Sequence, residues 1–175
     1  MMQQSDFRKK QPVKWMTTTA LLMAMTTAMS SFSIPVPGGH LYLCDVVICT
    51  AAVLLDPLGA FIAGGVGSFL GDFFFYPAPM FVSLISHGLQ AVVISQIVRR
   101  AKPERRGRAA LLGVLLGGVL MVTGYTVGRA FVYSTPEYAV LKLPFEILQA
   151  AIGGAAALIL CFKSGLLPFW DKFTR

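Results

Sequence analysis

Charged residues are scarce in this chain. Only 13% of its 175 residues are Asp, Glu, Lys or Arg, while 55% are hydrophobic. A soluble domain carries about 25% charged residues, and the mean hydropathy here is +0.68. The composition excludes an ordinary soluble domain and predicts an integral membrane protein whose immediate partner is the lipid bilayer.

Cysteine is also rare. Cys44, Cys49 and Cys161 are the three cysteines, and they lie in or beside apolar runs. No Cys-x-x-Cys or Cys/His spacing surrounds them, which argues against a zinc site or a disulfide framework. We interpret them as small core residues and predict neither a metal site nor a cofactor.

Catalytic motifs are missing from the sequence. It contains no Gly-x-Ser-x-Gly, no phosphate-binding Gly-Lys-Ser/Thr loop and no paired carboxylates beside a base. The glycine run at residues 64–67 lacks the preceding strand of a dinucleotide site. We therefore predict no catalytic residues, and a partner must supply any energy for uphill transport.

The basic residues that are present occur in three segments. Of 15 Lys and Arg, four lie at residues 8–14, six at residues 99–108 and three at residues 163–175. Basic segments beside apolar runs remain cytoplasmic because they resist translocation. This distribution explains the net charge of +7 without nucleic-acid binding, and residues 99–108 also suit anionic lipid headgroups.

The apolar runs define the spans. Residues 13–32, 80–98, 109–132 and 140–162 each provide the roughly 20 residues that a crossing needs. The run at residues 43–70 contains Asp56-Pro57, a turn signal. If it crosses twice, as 43–55 and 58–70, all three basic segments share one side.

The sequence therefore predicts an all-α, polytopic bundle of six transmembrane helices. It forms one membrane domain over residues 1–175, with both termini cytoplasmic. The first apolar run is too long for a typical signal peptide, and no Ala-x-Ala site follows it. We expect no cleaved leader.

Three loops, at residues 33–45, 72–79 and 133–138, then face outward. Their aromatic, Pro and Gly residues suggest a shaped lid, although an interfacial aromatic belt also explains residues 73–75. The short, Gly-rich spans between 43 and 70 either border a substrate cavity or pack closely against their neighbours.

Polar residues collect near this outer side, where ionisable groups are costly and indicate a site. Arg129 and Glu146 fall at similar depth on successive helices, so an ion pair is expected, either structural or in contact with ligand. His87 is equally open to a packing role or a ligand role. The candidate substrate-binding residues are His40, Tyr42, Asp45, Asp72, Tyr76, His87, Tyr125, Arg129, Glu146 and Gln149.

Several motifs occur in a recognisable order. They are Gly-His-Leu-Tyr-Leu-Cys-Asp at residues 39–45, Asp-Pro-Leu-Gly-Ala at 56–60, Gly-Gly-Val-Gly-Ser at 64–68, and Leu-Pro-Phe-Glu-Ile-Leu-Gln at 143–149. The ordered set resembles the substrate-binding S components of energy-coupling factor (ECF) vitamin transporters. Tyr42, Cys44, His87 and Glu146 depart from the usual family residues at the expected ligand end.

The resemblance implies a vitamin site at the outer face, in a prokaryotic plasma membrane. It also implies an ECF module made of a transmembrane coupling protein and two ATPase subunits, onto which the S component delivers its vitamin by toppling. A stripe of Ala20, Ala24 and Ala28 resembles the family's docking helix, and packing against the protein's own helices is the alternative.

The polar and aromatic candidates favour a pyridoxine-like or hydroxymethylpyrimidine-like compound. Pantothenate, folate and riboflavin remain open. The alternative function is an independent secondary transporter or channel for a small solute. That alternative predicts polar residues through the full membrane depth, whereas the candidates cluster in the outer half.

Overall fold

The structure is a computed structural model that describes residues 4–174, and within them it is a helical bundle with one small sheet. The α-helices are α1 (Gln4–Lys10), α2 (Pro12–Ser30), α3 (Cys44–Leu54), α4 (Pro57–Phe61), α5 (Gly67–Phe75), α6 (Met80–Arg100), α7 (Arg106–Gly128), α8 (Pro136–Phe162) and α9 (Leu166–Phe173). A π-helical segment, Ile62–Val66, joins α4 to α5, and a second, Arg129–Tyr133, extends α7.

Four helical rods in the described part of the chain are long and apolar enough to cross a membrane. They are Pro57–Phe75, Met80–Arg100, Pro103–Tyr133 and Pro136–Phe162. Helix α3 is apolar but has 11 residues, and α2 has 19. The chain is therefore a multi-pass helical membrane protein, while the count of six spans remains a prediction.

The predicted outer loops are shorter than the sequence suggested. The expected span 58–70 continues to Phe75, so Asp72 and residues 73–75 are helical and the prediction of a loop there was wrong. Pro77 and Pro79 follow and stop the helix, because proline lacks the N–H that a helix needs. Between Tyr133 and Pro136 the expected third loop is likewise reduced to two residues.

The predicted turn at residues 56–59 is present. Asp56 caps α4 by accepting a hydrogen bond from the Gly59 amide, 3.3 Å from Oδ1. Pro57 takes the first helical position, where a missing N–H costs nothing. Together these residues reverse the chain between α3 and α4.

The first outer loop contains a β-hairpin that an all-α fold does not include. Strands β1 (Ser33–Val36) and β2 (Gly39–Tyr42) pair antiparallel, with Ser33 opposite Tyr42. The turn requires glycine, because Gly38 and Gly39 have φ values of +80° and +149°. A hairpin alone is marginally stable, so this one depends on its contacts with the helices.

The terminal helices lie at the other end of the bundle. The Phe7 and Trp170 rings meet edge to face, with centroids 5.8 Å apart, which joins α1 to α9. Arg106, in the basic segment 99–108, pairs with Asp171 over 3.2 Å. The three basic segments therefore gather at one end, as expected of segments that share a membrane side.

Helix α3 forms the centre of the bundle. It packs against α2, α6 and α8, and Ile48, Ala51 and Val53 on it are fully buried. Its two cysteines and Cys161 are buried and free. The interpretation of the cysteines as core residues agrees with this arrangement.

Candidate functional site

A small cavity lies beneath the hairpin, at the end of the bundle opposite the terminal helices. Its volume is about 20 Å³, enough for roughly one water molecule. Its lining comes from the hairpin and from three helical rods that converge on it. The lining residues are Gly39, His40, Tyr42, Asp72, Tyr76, Pro79, Tyr125, Arg129 and Tyr133.

The hairpin roof is fixed at both of its ends. At the turn, Arg129 Nη1 donates to the Gly38 carbonyl over 2.9 Å. At the end of β2, the Tyr42 amide donates to Gln149 Oε1 over 2.9 Å. A Cβ on Gly39 would lie only 3.4 Å from Arg129 Nη1, so glycine lets the turn approach the arginine closely.

Aromatic rings form one wall of the cavity. His40 and Tyr76 have ring centroids 6.1 Å apart, and His40 and Tyr42 are 6.3 Å apart. Burial, reinforced by the Asp72 charge, raises the pKa of Tyr42 well above its usual value. Its phenol therefore stays protonated and can donate a hydrogen bond, while the ring faces suit a flat heteroaromatic ligand.

The second wall is a polar chain across three helices. Ser83 on α6 donates its hydroxyl proton to the Asp72 carboxylate on α5 and lies within hydrogen-bonding distance of the Tyr125 hydroxyl on α7. Asp72 and Ser83 are both buried. This chain fixes the Asp72 carboxylate at the cavity edge.

Below the cavity, Asp45 is held by two amides. Gln149 Nε2 donates to Asp45 Oδ2 over 2.6 Å, and Gln90 Nε2 donates to Oδ1 over 3.1 Å. Gln90 Oε1 is 2.8 Å from His87 Nδ1, and the His87 ring meets Tyr125 edge to face at 5.2 Å. These buried groups hold the cavity walls from behind.

Arg129 connects the hairpin above the cavity to Glu146, which lies in the floor, the layer of buried residues below the cavity. Its Nη2 donates to Glu146 Oε1 over 3.2 Å, so the ion pair expected from the sequence is present. Its guanidinium lies over the Tyr133 ring, 5.2 Å from the centroid. Lys142, one turn before Glu146, is buried beside the hairpin and packs against Gly38.

Two polar atoms at the cavity lack a protein partner. Arg129 Nε and the Tyr133 hydroxyl are buried, and neither makes a hydrogen bond within the described residues. Leaving such a group unpaired costs about 1–3 kcal/mol. Both residues line the cavity, so a ligand bound there could satisfy them.

The structure brings six of the ten predicted residues to the cavity: His40, Tyr42, Asp72, Tyr76, Tyr125 and Arg129. Asp45, His87, Glu146 and Gln149 lie behind the lining as supports. Sequence reasoning missed Tyr133, Ser83 and Gln90. Helical spacing could have identified all three, because they lie four residues after Arg129, four before His87 and three after it.

One group of side chains has the composition of a metal site. Donor atoms of Cys44, Asp45 and His87 lie within 4.8 Å of one another, and all three residues are buried. Asp45 and His87 already have protein partners in Gln90 and Gln149. Asp45 and His87 thus belong to the hydrogen-bonded group below the cavity, and Cys44 lies beside them.

Comparison with known proteins identifies the family. A family model described as "ECF-type riboflavin transporter, S component" matches residues 10–164. The chain belongs to this family. A protein from Pyrococcus woesei, described as "Uncharacterized protein in gap 3'region", is 36% identical over 147 residues, covering 82% of this chain and 97% of that protein.

Membership defines the general role of this S component. It is a vitamin-binding subunit of an ECF transporter, works with an ECF module and is not an enzyme. The description of the matching family names riboflavin, which the sequence left open, and not the pyridoxine-like compounds that the sequence favoured.

The expected docking stripe is exposed on this S component. Ala20, Ala24 and Ala28 are exposed on α2, while Leu22 and Thr26 on the opposite side are buried. Thr27 Oγ1 donates to the Gly67 carbonyl over 2.9 Å, which holds α2 against α5. The assignment of this stripe to partner docking remains a prediction.

Proposed function

We propose that this S component captures riboflavin in the cavity beneath the β1–β2 hairpin. The observation that carries the proposal is the pair of unpartnered atoms, Arg129 Nε and the Tyr133 hydroxyl, beside aromatic walls. An isoalloxazine ring offers a flat face for stacking, and its carbonyl oxygens accept hydrogen bonds from such donors.

Binding requires the cavity to enlarge. A volume of about 20 Å³ cannot hold a three-ring compound. The hairpin is the element we propose to move. Within residues 4–174, two hydrogen bonds tie its backbone to helical side chains, Arg129–Gly38 and Tyr42–Gln149. Asp72 and Tyr76 then contact the ligand from the side, and Asp45, His87, Glu146 and Gln149 hold the floor.

Delivery uses the exposed stripe of Ala20, Ala24 and Ala28. Small residues four apart allow another helix to approach closely, so the transmembrane coupling protein is the proposed partner on this face. Two ATPase subunits supply the energy, and the S component topples to release its vitamin inside. This assembly is proposed for a prokaryotic plasma membrane.

The proposed topology has six spans with both termini cytoplasmic. An impermeant thiol reagent applied to intact cells should label Ser134→Cys, in the proposed outer loop, and leave Glu104→Cys unlabelled. The three native cysteines are buried, so the reagent should label them little. Labelling of Glu104→Cys from outside would contradict the orientation.

The substrate proposal is tested by titrating the purified protein with riboflavin and following flavin fluorescence. We expect saturable quenching that excess pyridoxine does not displace. Tyr76→Ala, at the cavity wall, should weaken binding, while Tyr138→Ala, at an exposed position, should not. No quenching of riboflavin, together with pyridoxine binding measured by calorimetry, would reverse the assignment.

A further inference from the structure

A second, larger cavity opens on the side of the bundle between α7 and α8. Its volume is about 590 Å³. Among the described residues that line it, Thr123 is the only polar one. It runs from Leu111 to Thr123 along α7, roughly 18 Å at 1.5 Å per residue. We call it the α7–α8 groove.

The groove has a narrow floor and a bulky rim. Gly118 and Ala150 form the floor, where a Cβ on Gly118 would lie 3.6 Å from the Ala150 Cβ. Leu115, Val119 and Ile147 stand at the rim and are exposed. Small residues on the floor suit a partner helix as well as an acyl chain, so the charge at the end of the groove decides between the two occupants.

Positive charge lies at one end of the groove. Arg108 is exposed one turn before Leu111 and therefore lies on the same face of α7. Lys163 is exposed just after α8 ends. In the region that the structure describes, neither residue forms an ion pair. Both lie at the end of the bundle that holds the basic segments.

We propose that the α7–α8 groove binds an anionic phospholipid. One acyl chain lies along the small-residue floor, and the headgroup phosphate contacts Arg108 and Lys163. Each basic residue near the headgroup contributes about 1 kcal/mol. The groove lies away from α2, so the bound lipid and the coupling protein occupy different faces.

Native mass spectrometry of the purified protein tests the site, with dioleoyl phosphatidylglycerol and dioleoyl phosphatidylcholine added separately. We expect a retained phosphatidylglycerol and little phosphatidylcholine. Arg108→Gln should weaken phosphatidylglycerol binding about fivefold, the equivalent of about 1 kcal/mol. Equal retention of the two lipids would overturn the headgroup contact.

A second experiment fills the groove with larger side chains. Ala151 and Ala155 line it from exposed positions on α8, so Ala151→Phe and Ala155→Phe should remove the lipid without disturbing the core. Ile152→Phe is the matched control, because Ile152 is equally exposed but outside the groove. Unchanged melting temperatures establish that the variants fold, and Ala151→Leu provides a smaller change if Ala151→Phe does not.

Three results would overturn the proposal. The first is lipid retention that the filled groove does not alter. The second is a two-chain mass that Ala151→Phe abolishes, which would assign the groove to a second copy. The third is unchanged lipid binding with loss of coupling-protein assembly, which would assign it to a partner helix.

Discussion

Trp15 donates a hydrogen bond from its indole Nε1 to Asp56 Oδ1 over 2.6 Å, between residues 41 positions apart. Arg8 Nη1 lies 3.3 Å from the other oxygen, Oδ2. One buried carboxylate thus joins α1 and α2 to the turn between α3 and α4. The helix that carries Ala20, Ala24 and Ala28 is therefore held in place near its N-terminal end.

We predict that Asp56→Ala destabilises the protein by about 2–3 kcal/mol, because it removes a helix cap and the acceptor of the Trp15 indole. Asp56→Asn keeps an oxygen for the cap and should cost less. Asp171→Ala is the control, since Asp171 is 41% exposed and such pairs contribute about 0–1 kcal/mol. Thermal unfolding in detergent ranks the variants, and equal losses at Asp56 and Asp171 would contradict this account.

Tyr133→Phe should separate ligand binding from stability. The hydroxyl it removes has no protein partner, so the melting temperature should stay the same or rise. Riboflavin affinity should fall about five- to tenfold, as expected for one lost hydrogen bond of about 1–1.5 kcal/mol. Tyr138→Phe controls for the chemical change. A lower melting temperature with normal affinity would show that the hydroxyl is structural.

The Arg129–Glu146 pair should behave as a coupled unit in unfolding. Glu146→Gln or Arg129→Met alone leaves an unpaired buried charge, which costs about 3–5 kcal/mol. The double variant should be more stable than the sum of the two single changes predicts. Its riboflavin affinity should nevertheless remain lower than that of the unmodified protein, because Arg129 lines the cavity. Additive stabilities in a double-mutant cycle would show that the two residues do not interact.

Two buried serines on α6 provide a matched comparison. Ser83→Ala removes the donor to Asp72 at the cavity, while Ser95→Ala removes a 2.7 Å hydrogen bond to the Leu55 carbonyl at the other end of the bundle. Each should lose about 1 kcal/mol of stability. Only Ser83→Ala should also weaken riboflavin binding. Equal affinities for the two variants would remove Asp72 from the site.

Replacing Ala24 with Trp should block assembly with the coupling protein and vitamin uptake, since the bulky ring prevents close helix approach. Riboflavin binding by the isolated protein should be unchanged, because Ala24 is exposed and does not line the cavity. Met25→Trp, an exchange of one large exposed side chain for another, is the control. Loss of binding in Ala24→Trp would make the stripe an internal packing surface.

The sequence predicted a helical, multi-pass membrane protein because its apolar runs are long, while the count of six spans remains a prediction. It also predicted the ion pair between Arg129 and Glu146, since their depths follow from the span boundaries. The hairpin was missed because strands of four residues are too short for a clear periodicity. The helix end at Phe75 was misplaced because Asp72 looked like a loop residue, and only the fold shows that Ser83 satisfies its carboxylate.

The sequence identified most of the site residues but not their individual roles. Residues that line the cavity and residues that support it are equally polar, and the span boundaries place them at the same depth in the membrane. The sequence therefore could not show that Asp72 lines the cavity while Asp45 lies behind it. Their roles depend on which side chains face them across the bundle. Asp45 meets the amides of Gln90 and Gln149, whereas Asp72 reaches the cavity edge.

The two anchors of the hairpin have a kinetic consequence. In the proposed opening of the hairpin, the Gly38 carbonyl and the Tyr42 amide both release their helical partners before riboflavin enters. We therefore expect association to be slower than diffusion allows, because it waits for this opening. Dissociation would meet the same barrier, and we expect the proposed coupling protein to accelerate release.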